Sequence, residues 1–69
     1  MKLSARNVIK GRIKAIKPGA VNAEVVIEIA PDIEVVSIIT MSSVQSLGLA
    51  VGKDAYAVVK ASNVMVAVD

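Results

Sequence analysis

Hydrophobic and polar residues alternate along the first third of the chain. Across residues 5–17, "ARNVIKGRIKAIK", Ile9, Gly11, Ile13 and Ala15 fall on one side and Lys10, Arg12 and Lys14 on the other. Alternation with period 2, rich in β-branched residues, predicts a strand, because successive side chains of extended backbone point to opposite faces. Pro18-Gly19 comes next and predicts a turn. Residues 20–30, "AVNAEVVIEIA", alternate again, with Val21, Ala23, Val25, Ile27 and Ile29 on one face and Asn22, Glu24 and Glu28 on the other. Pro31-Asp32 makes a second turn, and "IEVVSIIT" over 33–40 reads as a third strand with weaker alternation.

The period then changes. In "TMSSVQSLGL", the hydroxyls of Thr40, Ser42 and Ser43 precede Val44 and Leu47, an i, i+3 pair, and Gly48 closes the run. Hydroxyl residues before a first turn and glycine after a last one are helix start and stop signals, so a helix of about two turns is expected, with Ser42 at its N-cap. "VGKD" turns at 51–54, and two more strands are expected, "AYAVVKA" over 55–61 and "SNVMVAV" over 62–68. The order predicts an all-β fold, a five-stranded OB-like Greek-key barrel with one short helix between strands 3 and 4. An SH3-like small barrel has a similar strand count but usually no helix at that point.

Composition adds the question of assembly. The 69 residues make one domain, spanning 1–69, and 55% of them are apolar, yet Tyr56 is the one aromatic and there is no Cys or His. A core of Val, Ile and Ala is thin, and neither a disulfide nor a zinc finger is available to staple it. Association with further copies is the remaining route, so a homo-oligomer is expected. No apolar stretch approaches the roughly 20 residues that span a bilayer. Lys2, Arg6 and Lys10 interrupt any signal-like apolar region, and the expected location is cytoplasmic.

The missing imidazole and thiol remove the usual general base, nucleophile and metal ligands, and no catalytic residue is expected. Six cations fall in the first seventeen residues, namely Lys2, Arg6, Lys10, Arg12, Lys14 and Lys17. On an OB barrel such a stripe could follow a nucleic-acid backbone, which leaves a nucleic-acid-binding OB module as an alternative. Single-strand binding on that fold uses aromatic platforms, however, and Tyr56 alone supplies none. The net charge is only +2, and the Glu-bearing second strand is expected beside the basic first one.

A second constellation consists of hydroxyls, amides and a few cations: Ser4, Arg6 and Asn7 near the start, Gly19-Ala20 in a turn, Ser42 and Ser43 at the helix start, and Lys60 and Ser62 interrupting an apolar run. Each has an ordinary structural role as chain end, turn, cap or exposed strand residue. Together they are what a small oxyanion requires.

These residues also carry a resemblance. Ser4-Ala5-Arg6-Asn7, the segment Ser43-Val44-x-x-Leu47-Gly48-Leu49-x-x-Gly52, and Lys60-Ala61-Ser62-x-Val64-Met65, in that order over essentially the whole chain, resemble the molbindins, single-domain Mop proteins that bind molybdate. The resemblance implies an OB-like subunit in a hexamer, a trimer of dimers, with oxyanion sites between subunits. It implies molybdate or tungstate as the bound ligand, with molybdenum held as the oxyanion rather than by direct metal ligands and no organic cofactor. Lys60, Ala61 and Ser62, with Ser42, Ser43 and Val44, match one kind of site, to which Ser4, Arg6 and Asn7 contribute. Gly19 and Ala20 match a second kind, near a symmetry axis.

Overall fold

The computed structural model describes all of residues 1–69. The elements are β1 (Asn7–Pro18), β2 (Asn22–Ala30), β3 (Ile33–Thr40), α1 (Met41–Ser46), β4 (Asp54–Val59) and a single 3-10 turn, Ala61–Asn63. The strands form one sheet in the order β3-β2-β1-β4, antiparallel at every pairing and curled into a half-barrel. β1, β2 and β3 are a meander, and β4 returns to the other edge of β1.

The alternation read from the sequence selects the core. Ala23, Val25 and Ile27 of β2 are buried with Ile13 of β1, Val44 of α1 and Ala57 of β4. Val26 is buried on the opposite face, where it pairs with Ala15 and Val36. Val36 and Ile38 remain exposed on that outer face, so the strands are apolar on both sides. No helix is long and apolar enough to cross a membrane.

Three expectations need correction. The first strand does not keep one alternation throughout. Ile13 pairs with Ile27 but Ala15 pairs with Val26, so Lys14 is an extra residue in β1. A bulge of this kind reverses the facing of the residues after it. Ala15 moves to the outer face, and Ile16, opposite Val25, takes the place at the core.

The helix N-cap is Thr40 rather than Ser42. Thr40 has extended backbone (ψ 153°), and its hydroxyl accepts from the Ser43 N–H at 3.1 Å. An N-cap residue typically has extended backbone and its side chain accepts from the amide two or three residues on. Ser42 already lies inside the helix.

The fifth strand is the third correction. β4 stops at Val59. Beyond it the Asn63 N–H turns back to the Lys60 carbonyl at 2.8 Å and the Val64 N–H to the Ala61 carbonyl at 3.3 Å. Those amides leave the ladder, and the residues after them reach no strand of the chain. Four strands and an open side therefore replace the expected closed five-stranded Greek-key barrel.

Candidate anion-binding site

The antiparallel pairing of β1 with β4 sets Asn7 opposite Val59. Because the first residue of β1 meets the last of β4, the segments just outside them also meet. Ser4, Ala5 and Arg6 arrive from one side, and Lys60, Ala61, Ser62 and Asn63 from the other. They and Val58 line a cavity of about 680 Å³. The Asn7 side-chain amide donates to the Val59 carbonyl at 3.2 Å and ties the two segments together immediately below the cavity.

The lining is made of donors. It offers a guanidinium, an ammonium, two hydroxyls and a carboxamide, and no carboxylate. Every ion pair of the chain lies elsewhere: Lys10 with Asp54 at 3.8 Å, Lys14 with Glu34 and with Glu28 at 4.0 Å, and Lys17 with Glu24 at 3.2 Å. Arg6 and Lys60 belong to none of them. Two uncompensated cations beside two hydroxyls make a wall that favours a small anion, since charge-assisted hydrogen bonds to oxygen are the stronger kind.

The same ion pairs weaken the nucleic-acid alternative. Three cations of the basic stripe face acids across the sheet, as the neighbouring Glu-bearing strand implied. The Lys14 pKa is raised above its ordinary value of 10.5 by its hydrogen bond to Glu34 and that carboxylate's charge, with a further contribution from Glu28. Such a lysine is already engaged.

Of the residues singled out in the sequence, Ser4, Arg6, Lys60, Ala61 and Ser62 line this cavity, and Asn7 braces it from below. Ala5 was named only as part of the Ser4–Asn7 motif, and Val58 and Asn63 were not singled out. Asn63 had a signal, being the next residue after Lys60-Ala61-Ser62, and its amide closes the turn that shapes the wall.

Gly19, Ala20, Ser42, Ser43 and Val44 lie elsewhere, at the opposite end of β1. The Met41 N–H donates to the Val21 carbonyl at 2.8 Å, which sets the β1–β2 turn beside the helix start. Gly19 is needed there sterically: its N–H donates to the Asn22 carbonyl at 2.8 Å, and a Cβ would come within 2.7 Å of that oxygen. The Thr40 hydroxyl donates to the Ser43 hydroxyl at 2.8 Å and lies 3.2 Å from that of Ser42. The Val44 side chain belongs to the core. Within one chain, then, the helix start keeps company with the turn and not with Lys60–Ser62.

A family model described as the TOBE domain matches residues 3–66. The chain is 47% identical over 66 residues to Molybdenum-pterin-binding protein 3 of Clostridium pasteurianum, an alignment covering 96% of this chain and 97% of that protein. The chain belongs to the Mop group of TOBE-domain proteins. This Mop chain is also 46% identical over 69 residues to a probable molybdenum-pterin-binding protein of Haemophilus influenzae, with both covered in full. Among solved structures it resembles MopII of Clostridium pasteurianum with a TM-score of 0.90 and 45% identity, covering 97% of this chain and 100% of that one. It resembles the cytoplasmic molybdate-binding protein ModG with a TM-score of 0.88 and 48% identity, covering 94% of this chain and 46% of that longer one.

Proposed function

We propose that this chain is a cytoplasmic, non-catalytic molybdate-binding protein that holds the free oxyanion for molybdenum storage and homeostasis, with tungstate as an equivalent ligand. The observation that carries the reading is the cavity at the start of β1: Arg6, Lys60, Ser4 and Ser62 converge there, no carboxylate lines it, and neither cation is paired. The names of the relatives and the molybdate-bound ModG structure support the choice of anion.

The working unit is a homo-oligomer, a hexamer built as a trimer of dimers, with oxyanions held between copies. Two features support this. The cavity is far larger than one tetrahedral anion, so a second surface is needed to bring donors around it. The helix-start residues Ser42, Ser43 and Val44 are remote from Lys60–Ser62 in one chain, so both sets meet one anion only across an interface. Gly19 and Ala20 belong to the second kind of site.

The ligand is the free anion rather than molybdenum carried on a pterin. The one aromatic, Tyr56, is outside the cavity lining, so no aromatic side chain there offers a stacking platform.

Competition titration calorimetry near physiological ionic strength (about 0.15 M) tests the reading. A wall of donors without a carboxylate accepts fully deprotonated dianions and offers little to a species that must donate a proton. Tungstate should displace molybdate, the smaller sulfate should compete poorly, and hydrogen phosphate should compete least. Displacement by sulfate at equal concentration overturns the size-matched site and leaves a nonspecific basic surface.

A further inference from the structure

The two walls of the anion cavity are held in different ways. On the β4 side, the Lys60–Asn63 turn follows directly on a paired strand. It is closed by the Asn63 N–H on the Lys60 carbonyl at 2.8 Å and the Val64 N–H on the Ala61 carbonyl at 3.3 Å. On the other side the last anchor is Asn7, through its pairing with Val59 and its side-chain bond to that carbonyl. Residues 1–6 lie beyond the anchor. They make no backbone hydrogen bond, no side-chain hydrogen bond and no ion pair. Their apolar side chains do not pin them either, since Met1 is 80% exposed and Leu3 50% exposed.

That loose arm carries half of the site. Ser4 and Arg6 both line the cavity, and being two residues apart they fall on one side of an extended chain. Arg6 and Lys60 face the empty space as like charges with no carboxylate between them, and their repulsion opposes closure. A dianion reverses that force, because it attracts both cations and accepts hydrogen bonds from both. The guanidinium suits the closing side, since its planar fork grips two oxygens of an oxyanion at once.

We infer that residues 1–6 are a strap, mobile in the free protein, that closes over the bound anion with Asn7 as its hinge. The Lys60–Asn63 turn is the fixed jaw, and Ser4 with Arg6 is the moving one. Ordering the strap costs conformational entropy, so the apparent affinity is lower than that of the same donors in a preformed site. The inference rests on the anion-binding reading above and adds the movement that accompanies binding.

Backbone 15N relaxation on the whole labelled chain, in the assembly it forms, reads the ps–ns order of each residue. Without ligand, the order parameters of Ala5 and Arg6 should lie below about 0.6, and saturating sodium molybdate should raise them to about 0.85. Ala57, buried in β4, should stay at about 0.85 throughout. Sodium chloride at the same ionic strength should leave the strap mobile, and ordering by chloride would reduce the effect to charge screening and overturn the inference. A strap already rigid without molybdate overturns it too, as does one that stays mobile while calorimetry shows molybdate bound. If the same calorimetry finds no molybdate binding, the anion-binding reading itself is overturned and the strap falls with it.

Discussion

Asn7 and Val59 are cross-strand partners, and the Asn7 side chain donates to the Val59 carbonyl at 3.2 Å. Each adjoins the cation of its own segment: Arg6 comes one residue before Asn7, and Lys60 one residue after Val59. The bond therefore fixes the spacing of the two cations that face the anion cavity.

Asn7→Ala should loosen that spacing. A net hydrogen bond is worth about 0.5–1.5 kcal/mol, and the urea midpoint should fall accordingly. Molybdate affinity should fall as well, because Arg6 and Lys60 no longer share one frame. Calorimetric titration showing full affinity with reduced stability would confine Asn7 to a structural role.

Lys60→Ala removes charge from the wall without touching the core. Loss of a charge-assisted bond costs about 1.5–3 kcal/mol, or roughly 10- to 150-fold in affinity. The circular dichroism spectrum should be unchanged, and the titration should show a weaker site or a lower stoichiometry. Unaltered affinity and stoichiometry would mean that Lys60 is only a solvated residue.

Gly11→Ala should destabilise the sheet. The added Cβ would approach the Glu28 carbonyl oxygen at 2.6 Å and the Ile27 side chain at 2.7 Å, with Ile29 at 3.1 Å. The carbonyl belongs to the paired backbone and cannot swing aside, so an overpacking cost of about 1–3 kcal/mol is expected. Chemical denaturation followed by circular dichroism measures it, and a midpoint equal to that of the parent would refute the clash.

Lys14 makes a pH-dependent contribution. Its folded pKa lies above the unfolded value of 10.5 because Glu34 holds the ammonium. The folded state thus binds the proton more tightly, and the stabilisation is fully present below 10.5 and lost as pH rises through the higher folded value. The stability gap between the parent and Lys14→Met should be constant from neutral pH to about pH 9 and narrow as the pH rises through and beyond 10.5. Urea midpoints at those pH values test the sign. The ion pair is exposed, so the gap itself should be small.

The sequence by itself determined the local geometry. Alternation placed Ala23, Val25 and Ile27 on one buried face, and Pro18-Gly19 and Pro31-Asp32 marked the turns between β1, β2 and β3. Asp32 adopts φ 62°, a conformation its short polar side chain tolerates better than most. The helix after Thr40 was legible from hydroxyls before an i, i+3 apolar pair. Ser4, Arg6 and Lys60–Ser62 were recognisable because polar groups interrupt apolar surroundings or precede a strand. All of these depend on neighbours within a few residues.

Tertiary structure decided what depends on partners distant in the chain. Lys14 became a bulge only through the register of β1 against β2, and that register moved Ile16, not Ala15, to the core side. Pairing across strands occupied Lys10, Lys14 and Lys17 with acids and left Arg6 and Lys60 outside every ion pair. The β1–β4 pairing brought residues 4–6 beside 60–63, more than fifty positions apart, while the helix start went to the other end of the sheet. Val64–Val68 has the alternation of a strand but forms none in the single chain, because a strand exists only where another backbone edge accepts its hydrogen bonds. Alternation can specify which face of a segment is apolar. It carries no information about which edge, in this chain or another, lies beside it.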